Sequence, residues 1–153
     1  MTGLLKPNWS LLFSGLIGLG FVYVFKDQIN PWAWMHGEHY TWHNTIENIS
    51  SFEPEMVIFN KTLRYILNDI FSIIVIHALF QNRQYTRFAV GLLLFGLLIL
   101  LPSYFAMVYY MPEGYTSLVS SFHRIILNPV LMMMLIPYLY VMEREKQIKK
   151  GGQ

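Results

Sequence analysis

The chain has 153 residues, of which 54% are hydrophobic and 13% charged. Soluble domains carry about 25% charge, so this composition excludes an ordinary soluble domain. The net charge of +2 is too small to mark a nucleic-acid binder, and the absence of cysteine excludes disulfides, thiolate nucleophiles and cysteine-ligated metals.

The first apolar run, about residues 9–25, carries no charge and follows Lys6 and Pro7. It is near the lower length limit for crossing a hydrocarbon core of about 30 Å. Its end, Phe21-Val22-Tyr23-Val24-Phe25, lacks the small residues of a signal-peptidase site. The run therefore reads as a retained signal anchor and first transmembrane helix.

Residues 26–56 set Asp27, Glu38, Glu47, Glu53 and Glu55 against Lys26 alone, and hold Trp32, Trp34 and Trp42 near Tyr40. Indole rings gather at the headgroup level because one edge is apolar and the other donates a hydrogen bond. The pattern predicts a segment lying on the membrane surface, with a short helix around residues 37–49. On such a helix His36, His39 and His43 share one face, with Glu47 one turn further on. Imidazole binds zinc, copper and nickel. The spacing matches no recognised metal signature, however, so interfacial polar residues are the simpler reading and the three histidines are weak metal candidates.

The second span is predicted over 57–80, the third over 88–111 with a kink at Pro102, and the fourth over 117–142. A charged tail, 143–153, follows. The fold class is thus all-α: a single domain, a bundle of four transmembrane helices with an interfacial Trp/His-rich segment between the first two. Arg83, Arg87, Arg144, Lys146, Lys149 and Lys150 all fall on one side of this arrangement, with Lys6. The positive-inside bias then places both termini in the cytoplasm, in a bacterial inner membrane.

Two spans carry unusual polar residues. Arg64-Tyr65-Ile66-Leu67-Asn68 and Arg124-Ile125-Ile126-Leu127-Asn128 are near-copies, each about seven residues, roughly 10 Å, into an outside-to-inside span. Within each copy the asparagine falls on the arginine's face, one turn deeper. Lys61 shares that face, whereas Asp69 is turned away and is expected to meet another helix, with Arg124 as a candidate partner. An arginine at the bilayer centre costs roughly 2.5–3.5 kcal/mol, and although shallower placement and snorkelling reduce this, two such residues are expected to face protein and not lipid. Lys61, Arg64, Asn68, Asp69, His123, Arg124 and Asn128 form the candidate polar cluster, which either holds the bundle together or docks a partner.

Other chemistry is set aside. Ser117, Ser120 and Ser121 lie near His123, but serine catalysis needs an oriented base and oxyanion donors that sequence nearness does not supply. Asp69 is the lone acid within a span, whereas aspartyl proteolysis needs two carboxylates. Met132-Met133-Met134 point in successive directions around a helix and read as packing. His77 reads as a hydrogen-bonding residue near the cytoplasmic boundary. Gly15, Gly18, Gly20, Gly91 and Gly96 read as sites of close helix approach. No catalytic residue and no cofactor are expected.

Residues 59–76, Phe59-Asn-Lys-Thr-Leu-Arg-Tyr-Ile-Leu-Asn-Asp-Ile-Phe-Ser-Ile-Ile-Val-Ile76, and residues 122–140, Phe122-His-Arg-Ile-Ile-Leu-Asn-Pro-Val-Leu-Met-Met-Met-Leu-Ile-Pro-Tyr-Leu-Tyr140, resemble the small exosortase system-associated membrane proteins of Bacteroidetes, especially the exosortase F system-associated type. The family's Arg-Tyr-Leu-Leu-Asn-like opening corresponds to residues 64–68. Its last span corresponds to Arg124, Pro129, Ile136, Pro137 and Tyr140. The loop from Pro31 to Glu55 has no counterpart in the resemblance. It implies a non-catalytic accessory subunit of a protein-sorting system whose partner is a polytopic cysteine enzyme, besides the lipid bilayer itself. A small transporter or proton- or ion-conducting protein using Lys61, Asp69 and His77, or a structural subunit of another membrane complex, are the alternatives.

Overall fold

The computed structural model describes residues 7–26, 30–37, 54–110 and 116–151. Of these, 91% are helical, and no strand occurs among them. Helix α1 (Trp9–Val24) starts where Asn8 accepts a hydrogen bond from the Leu11 amide at 3.3 Å. A short α2 (Pro31–Met35) follows, with Asn30 as N-cap and Pro31 in the first turn, where a missing N–H costs nothing. Gly37, at φ 72°, closes α2 in the left-handed region that favours glycine. The helix expected over 37–49 lies outside the described residues.

Helix α3 (Pro54–Phe80) begins about one turn before the expected span, with the proline in its opening turn. Gln81, at φ 47°, and Asn82 turn the chain directly into α4 (Arg83–Phe95), and the Asn82 side chain caps it by accepting from the Gln84 amide at 2.9 Å. Because Asn82 can cap, Arg83 and Arg87 lie on the first helical turns and not in a connecting loop. The expected kink at Pro102 is absorbed differently. Gly96–Leu100 forms a π turn, with the Leu101 amide donating to the Gly96 carbonyl, and α5 (Leu101–Tyr110) continues the same rod. Proline lacks an N–H and crowds the preceding turn, and widening that turn avoids a sharp break.

Helix α6 (Thr116–Leu127) and α7 (Val130–Gly151) are bent by 56° at Asn128-Pro129. A residue before proline is pushed out of the helical region, so Asn128 ends α6. Its carbonyl accepts from the Val130 amide at 2.7 Å. Pro137, by contrast, is carried inside α7.

By length and composition α3 and the α4–α5 rod can each cross a bilayer, and α6–α7 makes a third if the bent pair is one span. Helix α1 has 16 residues, which is about 24 Å of helix. It runs antiparallel to α3: the Asn8 amide donates to the Ala78 carbonyl at 2.8 Å. Gly15 and Gly18 abut Phe71 and Val75, so a β-carbon at either glycine would collide with α3. Small residues permit this backbone approach. Gly20 and Gly91, expected to do the same, have open space around them.

Two apolar cores are stacked along the bundle. At the end carrying α2, Met56, Val57, Tyr65, Leu101, Tyr104, Phe105, Val119 and Ile126 pack together. At the opposite, basal end, Ile76, Tyr85, Ala89, Met132, Leu135 and Leu139 do so. The break at Asn128 lets α6 serve the first core and α7 the second. Met132 is buried there while Met133 and Met134 face outward, in keeping with packing around a helix. Tyr85 donates to Glu143 Oε2 at 2.6 Å and accepts from Lys146 Nζ at 3.0 Å, joining α4 to α7 at the basal end.

Candidate functional site

The polar side chains of the α2 end converge on three helices. Lys61, on α3, is fully buried, and its ammonium lies 6.0 Å from the ring centre of Tyr104, on α5, at the outer reach of a cation–π contact. The Tyr104 hydroxyl and His123 Nδ1, on α6, share a hydrogen bond of 2.8 Å. Buried tyrosines find such a partner because an unsatisfied hydroxyl away from water is costly. The charges of Lys61, Arg64, Arg124 and Lys26 all bear on His123, and that of Arg64 also bears on Tyr104. Tyr104 thus links Lys61 of α3 to His123 of α6.

Of the residues predicted from sequence, Lys61 and His123 meet on Tyr104, Arg64 lines the cleft between α1, α2 and α3, and Arg124 is exposed on α6. Asn68 and Asp69 are buried on α3. The Asn68 carbonyl accepts from the Ser72 hydroxyl at 2.8 Å. The polar neighbour of Asp69 is the Tyr65 hydroxyl, one turn back on its own helix, whereas another helix was expected to supply it. Tyr65 also reaches the Leu93 carbonyl at 3.2 Å. The two Arg-x-x-x-Asn copies are not equivalent. Arg64 and Asn68 lie on one continuous helix, but α6 stops at Leu127, so Asn128 sits at the bend and not one turn deeper on the face of Arg124.

Arg124 is exposed on α6, on the same face as the exposed Ser117 and Ser121, with Leu118, Phe122 and Ile125 exposed to one side of that face. A guanidinium thus continues a stripe of serine hydroxyls flanked by apolar side chains. Beside it, between α1, α2 and α3, Lys26 and Arg64 line a cleft with Val22, Pro31, Asn60, Leu63 and Leu67. Asn30 and Asn60 hold that cleft's wall: Asn60 Nδ2 donates to Asn30 Oδ1 at 2.7 Å, and Asn60 Oδ1 accepts from the Trp32 amide at 3.4 Å.

Sequence reasoning missed Tyr104, Lys26 and the Asn30–Asn60 pair. Tyr104 carried a signal, being a hydroxyl within a run of Leu, Ile and Phe; Asn30 carried one as an N-cap before Pro31. Their partners had none, since those contacts cross between helices.

The metal candidates do not come together among the described residues, where no group of three His, Cys, Asp or Glu could hold an ion. His36 is exposed, stacked on Trp32 at 4.5 Å with Nδ1 2.8 Å from the Trp32 carbonyl; His39, His43 and Glu47 lie outside the described residues. The Ser121 hydroxyl donates to the Ser117 carbonyl at 2.9 Å, a helix-backbone bond. His77 Nδ1 lies 2.9 Å from the Thr86 hydroxyl.

The chain matches no protein-family model, no curated protein and no solved structure.

Proposed function

We propose that the protein is a non-catalytic integral-membrane accessory subunit that docks a polytopic partner through the cation-rich α2 end, with the exosortase-type sorting enzyme as that partner. The observation that carries the docking reading is Arg124, exposed within an apolar span on one polar face with Ser117 and Ser121. An arginine within a span rarely faces lipid; it faces protein or a polar cavity. Arg124 follows directly on His123, which is tied to Tyr104 of α5. The identity of the partner rests on the resemblance of residues 59–76 and 122–140 to the exosortase-associated proteins.

In this reading all four apolar stretches cross the inner membrane. The antiparallel pairing of α1 with α3, from Asn8 opposite Ala78 to Gly18 beside Phe71, supports counting α1 as a span: it accompanies α3 along most of a bilayer-crossing helix. The basal end carries Arg83, Arg87, Arg144 and Lys146, which supports a cytoplasmic basal face. Affinity purification from native membranes in mild detergent tests the docking. The expected result is a co-purifying exosortase, lost with Arg124→Ala while the variant keeps its helical content and melting point. A chain that purifies without such an enzyme overturns the proposal.

A further inference from the structure

We propose that the cleft between the ends of α3 and α4 binds the phosphodiester of an anionic phospholipid at the basal headgroup level, gripped by Arg83 and Arg87. The inference rests on the reading of α3 and the α4–α5 rod as spans, and on nothing that docks at Arg124. The cleft is lined by His77 of α3 and by Arg83, Thr86, Arg87 and Val90 of α4. The four α4 positions recur at three- and four-residue steps and so share one face of that helix. Both arginines are exposed on it, and the lining holds no carboxylate.

The acids of the basal end stand elsewhere. Helix α7, which carries Glu143 and Glu145, packs against Tyr85 and Ala89, on the side of α4 opposite the two arginines. Glu143 accepts from the Tyr85 hydroxyl at 2.6 Å and is engaged there. Among the described residues neither Arg83 nor Arg87 is paired with an acid. The first turn of α4 also contains no acidic residue, although a helix N-terminus favours negative charge and disfavours a cation. An anion held between the arginines supplies the negative charge that this end lacks.

The wall of the cleft is fixed by hydrogen bonds. The Thr86 hydroxyl donates to the Asn82 carbonyl at 3.1 Å. A hydroxyl has one hydrogen to give, so its oxygen accepts from His77 Nδ1, 2.9 Å away. That bond ties α3 to α4 beside the arginines. The space is about 280 Å³, against about 30 Å³ for one water in the liquid, which is room for a phosphodiester and the carbons on either side of it.

Level and shape select a lipid over a free anion. Trp32 and Trp34 mark one headgroup level, and the Trp32 amide meets Asn60 of α3. His77 lies about 26 Å further along that helix, close to the hydrocarbon thickness of about 30 Å. Arg83 and Arg87 therefore stand at the other headgroup level. Deeper in the bilayer the same face of α4 continues as Val90 and Leu94, both exposed and apolar, a track for acyl chains. A guanidinium grips phosphate at two points, and basic pockets at the ends of spans hold anionic headgroups.

Native mass spectrometry of the detergent-solubilised full chain, titrated with phosphatidylglycerol or phosphatidylcholine, reads the site without any partner protein, so its failure and that of the docking experiment are separate. The two lipids share the phosphodiester, but choline cancels its charge and would face two guanidiniums. Phosphatidylglycerol is expected to be retained at about tenfold lower concentration, the equivalent of one charge-assisted hydrogen bond. Arg83→Gln and Arg87→Gln should each remove most of that preference, and glutamine at these exposed positions keeps the fold. Arg144→Gln takes the same charge from the same end of the molecule but lies on α7, and should leave the preference intact. Millimolar inorganic phosphate should not displace the lipid, because it has no chains to lay on Val90 and Leu94. Equal retention of the two lipids by the wild type, an Arg144→Gln effect as large as that of Arg83→Gln, or displacement by inorganic phosphate overturns the proposal.

Discussion

The Tyr65 hydroxyl lies over the bare Cα of Gly96, where a β-carbon would collide with it, and reaches the Leu93 carbonyl at 3.2 Å. This contact joins α3 to the start of the π turn that precedes Pro102. Gly96→Ala is expected to destabilise the fold by about 1–3 kcal/mol, the usual cost of overfilling a packed interior. Adding Tyr65→Phe removes the oxygen and should recover part of that loss. Thermal unfolding in detergent of the two single variants and the double variant checks it; additive losses would contradict the contact.

The α1–α3 seam makes a matched pair of glycine predictions. Gly18→Ala drives a methyl into the Phe71 ring and should lower stability by about 1–3 kcal/mol. Gly20→Ala meets no atom within 4 Å, and its effect should stay within about 0.5 kcal/mol. Equal melting points for the two variants would mean that α1 does not pack on α3 through this face.

At the α2 end, Tyr104→Phe removes the hydroxyl that bonds His123. A loss of about 1 kcal/mol is expected, since a half-buried ring nitrogen is left without that partner. Tyr110→Phe is the control, because Tyr110 is 87% exposed and its change should be neutral. If the two variants melt together, the Tyr–His pair does not hold α5 to α6.

Topology is open to direct labelling because the chain contains no cysteine. Single substitutions Ser10→Cys, Trp34→Cys, Gln84→Cys and Ile148→Cys place one thiol at each level. In intact cells a membrane-impermeant maleimide should modify only Trp34→Cys. The other three should react after the inner membrane is opened. Labelling of Ser10→Cys from outside would mean that α1 does not cross, and labelling of Ile148→Cys would reverse the orientation.

Much of the helical layout was legible in sequence for one reason: within lipid the backbone must satisfy its own polar groups, so a long apolar run is a helix. The boundaries were less legible. Helix α4 begins at Arg83 because Asn82 caps it, and hydropathy cannot see a cap. The bend at Asn128-Pro129 and the smooth passage through Pro102 involve the same residue type with opposite outcomes. What differs is the neighbourhood. Before Pro102 a glycine-led turn widens, whereas at Pro129 the chain turns from one core to the other.

The cluster shows the same division. Lys61, Arg64, His123 and Arg124 stood out in the sequence because ionisable side chains within apolar spans are costly, and their own helical period assigned each to a face. Which of them would meet depended on how neighbouring helices are rotated and staggered, and no single helix encodes that. Packing alone drew Tyr104 between Lys61 and His123, turned Asp69 to Tyr65, set Lys26 and Arg64 in the lining of one cleft and left Arg124 exposed on α6. The amino-acid order by itself determined an all-helical, membrane-compatible chain with cations inside its spans. The tertiary structure decided which of those cations converge, because convergence is a property of the space between helices.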